Sequence, residues 1–309
     1  QRLVQIAGQV AQHPAGTVTE VFGSHHRERE AAYDFLENPS VSADAIAEAH
    51  QRRTAQRCVG LPFVFVPVDG SSLQFADEEN KKGLGFIGTY RAGARGLKVL
   101  TAIAVSPDGI PLGVLGQAWW LRKNKVKTPH AKRDVKDKET RYWLEVPQQA
   151  QQRLESEAPG VEPWFQYDRE GDSWPVLLEA FEQHLSRYTT VRARTDRCLA
   201  SDPDGEDETQ PGGKLKQSLL SEPPKAFYEL DVAAGYKRTA RRAHMTLRWR
   251  ELTLKLRNQR TERVHEVVLW AVWAREEGST PPGENPVDWL LLTTYPVDSA
   301  DDACLALFG

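Results

Sequence analysis

Apolar positions in the first fifty-odd residues recur at helical intervals. In QRLVQIAGQVAQHP, Leu3, Ile6 and Val10 share one face and Pro14 ends the run. REREAAYDFLENP predicts a second helix closing at Asn38-Pro39, and SVSADAIAEAHQRRTAQRC a third, with serine at its N-cap. The period then changes. LPFVFVPVDGSS is a short continuous apolar run closing at Asp69, the pattern of a buried strand in a mixed or parallel sheet. LKVLTAIAVSPDGIPLGVLGQAWWLR reads as two further strands joined by a Pro107-Asp108-Gly109 turn, which makes a three-stranded meander.

KDKETRYWLEVPQQAQQRL then looks helical, and PWFQYD is a fourth strand closing at Asp168. Ser173 and Pro175 open a helix whose Leu177, Leu178, Phe181 and Leu185 share a face, and RYTTVRARTD is a fifth strand. Three strands, helix, strand, helix, strand is the succession of a ribonuclease H-like core, so the predicted fold class is α/β, a mixed sheet with flanking helices. From about Cys198 the pattern shifts again. SDPDGEDETQPGGK is acidic and rich in Pro and Gly, an exposed loop, and the strand-like AFYELDV, AHMTLRWRELTLKLRN, VHEVVLWAVWAR and VDWLLLTTYPV follow it. Met245, Leu247 and Trp249 alternate, then Leu252, Leu254 and Leu256 alternate in the opposite phase, which predicts a bulge or turn near Arg250-Glu251. The predicted organisation is a helical region over 1–57, the core over 58–197, a β-rich insertion over 198–297 and the start of a helical segment over 298–309.

Composition narrows the classes. With 309 residues and 40% hydrophobic content the chain buries a substantial core. No apolar run reaches the ~18 residues of a membrane span and no secretory signal opens the chain, so a cytoplasmic protein is expected. Cys58, Cys198 and Cys304 are far apart and without zinc-finger spacing, which makes them ordinary reduced thiols. A net charge of −3 attracts no polyanion overall, so any nucleic-acid surface must be local. Two local runs exist: Lys237 to Arg250 holds six Lys or Arg and no acid, and Arg122 to Lys138 holds eight against Asp134 and Asp137. Either is a solvated face or a phosphate-contacting one.

Asp69 and Asp168 close the first and fourth strands, which lie side by side in this topology although 99 residues separate the two aspartates. Paired carboxylates repel unless a cation sits between them, and hard oxygen ligands favour Mg²⁺ or Mn²⁺. Two such ions about 3.5–4 Å apart stabilise the attacking and leaving oxygens of phosphoryl transfer. The competing reading gives Asp69 an Asp-Gly turn and Asp168 the cap of the following helix.

Residue by residue, the chain resembles a known family. RLVQIAGQVAQHP, AAYDFLENPSVSADAI, VDGSSL, GLGFIGTYRAGARGLKVLTAIAV, GVLGQAWWLR, KDKETRYWLE, YDREGD and PPGENPVDWLLLTTYPV are similar, in order, to segments of the bacterial insertion-sequence DDE transposases, the cut-and-paste group that includes the transposase of the composite kanamycin-resistance transposon. DREGD resembles that family's Asp-Arg-Glu-Ala-Asp signature. The resemblance implies metal-dependent cleavage of DNA ends and strand transfer, with double-stranded DNA as partner and a homodimer as the full-length form. It implies Asp69 and Asp168 as catalytic metal ligands and Arg192 as a basic residue near them. Trp289 becomes the tryptophan on which a flipped base stacks, a role with physical sense because an extruded base loses its stacking partners. Lys237, Arg238, Arg241 and Arg242 fall where the family has basic residues in its insertion. Arg169, Glu170 and Asp172 would line the cleft or anchor its loop.

The pattern also has a gap. The family's third carboxylate lies in a Tyr-Arg-Glu-Lys segment about two dozen residues beyond the tryptophan, whereas this chain extends twenty residues past Trp289. A truncated or clipped transposase is therefore expected, with a catalytically inactive DNA-binding form as the alternative. Glu170 and Glu284 are not on the required helix and are not substitutes.

Overall fold

The computed structural model describes residues 1–23, 26–77, 79, 81–88, 93–122, 128, 129, 132–182, 185–200, 213–258 and 260–308. The acidic Pro/Gly-rich stretch predicted as a loop lies mostly outside them. Two compact units divide the chain, Gln1–His50 and Gln51–Gly309.

The first unit holds α1 (Arg2–Gln12), α2 (Val18–Phe22), α3 (His26–Glu37) and the opening turns of α4 (Ala43–Arg57). Ser42 caps α4 as predicted, its Oγ accepting the Ala45 N–H at 3.1 Å. Helix α2 was not legible, because five residues carry no periodicity. A capping box nevertheless defines it: Thr17 Oγ1 accepts the Glu20 N–H, and the Glu20 carboxylate accepts the Thr17 N–H at 2.6 Å.

Among the described residues the second unit is built on ten strands: β1 (Phe63–Gln74), β2 (Gly85–Phe86), β3 (Arg95–Val105), β4 (Pro111–Trp120), β5 (Glu162–Tyr167), β6 (Tyr188–Arg192), β7 (Ala226–Val232), β8 (Arg241–Arg257), β9 (Val264–Glu276) and β10 (Asp288–Thr293). Its helices are the end of α4, then α5 (Tyr142–Glu157), α6 (Trp174–Phe181), α7 (Leu215–Leu220) and α8 (Ala300–Phe308). All ten strands join one mixed sheet in the order β2-β3-β1-β5-β6-β10-β9-β8-β7, with β4 also on β3. β1 is antiparallel to β3 and parallel to β5, which is parallel to β6. The predicted meander is present, and the short β2, which falls between its first two strands in sequence, pairs with β3 at the edge of the sheet. The strands of the predicted insertion do not form a separate sheet; β10 pairs with β6 and extends the one already there.

Alternation along each strand sorts side chains to two faces. Val64, Val66 and Val68 of β1, Phe165 and Tyr167 of β5, and Leu290 and Leu292 of β10 enter one core with Val146 and Leu154 of α5 and Leu177 and Phe181 of α6. Phe65, Trp164 and Leu291, one position out of phase, enter a second core with Ala303 and Ala306 of α8. Full burial of a side chain such as Phe165 or Leu177 is worth about 1.5–3 kcal/mol.

The same two layers correct the predicted irregularity at Arg250-Glu251. β8 pairs with β9 without a register shift from Met245 to Arg257. Met245, Leu247 and Trp249 face the α8 core, whereas Leu252, Leu254 and Leu256 face the opposite one. The phase reversal marks a straight strand crossing from one core to the other. Cys58, Cys198 and Cys304 are all free thiols. Among the described residues no helix is long and apolar enough to cross a membrane.

Candidate active site

Register places the two aspartates. Val68 of β1 pairs in parallel with Tyr167, the last residue of β5, so Asp69 follows this pair within β1 and Asp168 follows it directly after β5 ends. Their strands are about 4.8 Å apart, close enough for two carboxylates to meet a cation with oxygen distances of about 2.1 Å. β1 does not end at Asp69, as the sequence predicted. It continues to Gln74, paired with β3 alone, so Asp69 marks where β1 loses its parallel neighbour. Order in the sheet also reverses between β1 and β5, the position where open sheets with parallel strands bind ligands.

Both local alternatives fail. A strand that runs on past Gly70 contains no Asp-Gly turn at Asp69. Asp168 caps no helix either: its Oδ1 accepts the Glu170 N–H at 2.7 Å, and the N-cap of α6 is Ser173. Asp69 Oδ1 accepts the Gly70 N–H at 2.7 Å, so each carboxylate is held by backbone one or two residues on.

The level continues across the sheet. Tyr167 pairs with Val191, which sets Arg192 beside Asp168, and Arg192 pairs with Leu291 of β10. Burial, and then the nearby Arg169, lowers the Arg192 pKa from the usual arginine value, while Asp168 and Asp288 pull it up. Its Nε is buried and makes no hydrogen bond among the described residues. A buried donor without an acceptor is rare and costly, and it is the arrangement expected of a group whose partner is a ligand. Trp289, one pleat beyond Leu291 on the same face, lies partly buried with the Arg192 guanidinium 5.9 Å from its ring centre. Beside it, burial would raise the Asp288 carboxyl, but hydrogen bonds from Lys216 Nζ at 2.6 Å and Trp273 Nε1 at 2.7 Å outweigh burial and lower its pKa.

The signature loop divides its labour. The Asp172 side chain is fully buried and anchors the chain after β6, accepting the Arg194 N–H at 2.6 Å, the Thr195 N–H at 3.3 Å and the Arg197 guanidinium. Glu170 turns away from Asp69. A Cβ added at Gly70 would lie 3.8 Å from Glu170 Oε2 and equally near Leu100 and Trp143, on the opposite face of the sheet. Glu284 is committed elsewhere, to the Thr239 N–H and Arg241.

The four cations of the insertion differ in state. Lys237 sits at positive φ in the β7–β8 turn, its ammonium 5.3 Å from the centre of the exposed Tyr236 ring. Arg238 is exposed and donates Nε–H to Ala233 O at 2.9 Å, and the exposed Arg242 pairs with Glu229. Arg241, expected on DNA, makes its contacts within the chain. It forks onto Glu276 at 2.7 and 2.8 Å and onto Glu284 at 2.7 Å with 13% of its side chain exposed, so it braces the hairpin instead of offering a free cation.

Other contributors escaped the sequence reading. Thr101 of β3 and Gln117 of β4 continue the Asp69 level, joined by Gln117 Nε2–H to Thr101 Oγ1 at 3.1 Å. Their signal was a polar residue at one phase of an otherwise apolar strand. Thr195, Asp196, Arg197, Lys214, Lys255 and Arg257 also line a cavity of about 530 Å³. Its cations come from three distant segments, which no charge run reveals.

The donor chemistry suits Mg²⁺ or Mn²⁺: two carboxylates at one level, an ion of this kind being commonly held by one or two carboxylates plus water and substrate phosphate. Among the described residues no group of three or more His, Cys, Asp or Glu is assembled for a metal. No protein-family model matches the chain.

Proposed function

We propose that the chain is a DDE transposase, or a part of one, that acts on DNA ends by divalent-metal-dependent cleavage and strand transfer. The observation that carries this reading is the single level formed by Asp69, Asp168 and Arg192 at the reversal of strand order, with an unpartnered buried donor on the arginine. The strand order β4-β3-β1-β5-β6, with β3 antiparallel and β5 and β6 parallel to β1, supports a ribonuclease H-like core.

Asp69 and Asp168 hold the metal, which when bound supplies Lewis-acid polarisation of the scissile phosphate and an activated water. Arg192 Nε–H donates to a phosphate oxygen. Trp289 offers its ring to an extruded base, held by the neighbouring guanidinium. Lys237, Arg238 and Arg242 lie along the backbone, where their contribution falls with salt. A second reading, DNA binding without cutting, is favoured by the absence of a third metal-binding carboxylate among the described residues.

The two readings separate in a strand-transfer assay on the DNA termini flanking the chain's own coding region, with Mg²⁺. Cleaved and joined product is expected, lost with chelator and reduced at least about 10³-fold by Asp69→Asn or Asp168→Asn, since charge stabilisation at this site carries several kcal/mol. DNA retention without product supports the second reading, and product undiminished in the double variant overturns the first.

A further inference from the structure

β4 carries an exposed tryptophan that the proposed reaction has not used. Trp119 pairs with Val99, is 50% exposed, and packs into neither core. Large aromatic surface left in water forfeits burial energy, yet this ring is not loose. Its Nε1–H donates to Gln117 Oε1 at 2.9 Å, and Gln117 in turn donates to Thr101 Oγ1. Thr101 is the cross-strand partner of Asp69. The indole is therefore fixed on the face that carries the two aspartates, by a chain of side chains that ends beside one of them.

Strand directions give its position. β4 runs parallel to β1, so Trp119 stands one pleat beyond the level Gln117–Thr101–Asp69–Asp168–Arg192–Leu291. β10 runs antiparallel to β6, so Trp289 stands one pleat beyond the same level, in the same direction, at its other end. Five interstrand spacings of about 4.8 Å put the two tryptophans roughly 24 Å apart, with the carboxylates between them. β4 then leads directly into Arg122–Lys138, which carries eight Lys or Arg against two Asp, a charge balance that suits a phosphodiester chain.

We propose that Trp119 is a stacking site for an unpaired nucleobase, on the side of the aspartates opposite Trp289; the proposal rests on the DNA reading above. A base has a π face whatever its identity, so the site is tolerant of sequence and selective for single-stranded over paired nucleotides. The Gln117–Thr101 chain lowers the ordering cost by holding the ring in place before the base arrives.

The test uses the whole chain without divalent metal and two probes: a blunt duplex, and the same duplex with a short single-stranded overhang containing a fluorescent adenine analogue. Trp119→Ala is expected to weaken binding of the overhang probe about tenfold and to abolish quenching of the analogue, with blunt-duplex binding unchanged. Trp119→Phe keeps most of both signals. If Trp119→Ala lowers the melting temperature, Trp119→Leu, apolar but without a π face, carries the comparison. Equal binding of both probes by wild type and variants, with quenching intact, overturns the stacking site and leaves the DNA reading standing. A wild-type chain that binds neither probe removes both.

Discussion

Arg192 and Arg241 are alike in sequence and opposite in use. Arg241 came from a basic run and was expected on DNA, but its carboxylate partners lie 35 and 43 residues further on, beyond anything a charge run can show. Its hydrogen bond is the largest influence lowering the Glu276 carboxyl, and the Thr239 contact, followed by Arg241, lowers Glu284. A carboxyl lowered in the folded state binds protons less readily there than in the unfolded chain. The clamp's stability is therefore complete above the ordinary carboxylate pKa of about 4.3 and is lost as pH falls through the lowered folded values. Arg241→Met is expected to melt below wild type at neutral pH, with the gap closing in acid below about pH 4. Thermal melts across that range check it, and a gap independent of pH would contradict the clamp. Arg192 shows the complementary case, a cation whose buried Nε has no hydrogen-bond partner among the described residues.

At the scale of elements, strong periodicity was readable and its exceptions were instructive. β1 and β5 follow from short apolar runs, and α6 from Pro175 and its apolar face. β1 was ended too early because Gly70-Ser71-Ser72 looks like a turn, whereas pairing to β3 holds it extended. β8 was read as broken because a phase reversal in a strand facing one core requires a bulge, and sequence alone does not reveal that a second core waits on the other face. The two-core account predicts that Leu254→Ala, fully buried opposite Val267, costs about 2–5 kcal/mol. Val268→Ala, 60% exposed on the neighbouring strand, changes stability by less than about 0.5 kcal/mol. Urea unfolding of both variants measures the contrast, and similar losses would contradict it.

Across the whole molecule, the site is a property of register. Asp69, Thr101, Gln117, Arg192 and Leu291 come from five strands, with Asp168 directly after a sixth, and they are brought toward one level only because each pairing falls in the right phase. A slip of one residue in β5 would turn Asp168 to the other face. The sequence pattern identified the two aspartates as candidates, and an assumed strand order put them side by side. Periodicity carries no information about which residue faces which, so the arginine's missing partner and the second tryptophan were beyond its reach. The central claim is that Asp69 and Asp168 together grip a divalent cation, and the most direct test is titration of the chain with Mn²⁺ followed by electron paramagnetic resonance. Binding is expected in wild type and is weakened by more than about tenfold in Asp69→Asn and in Asp168→Asn. Mn²⁺ bound equally well by the double variant would contradict it.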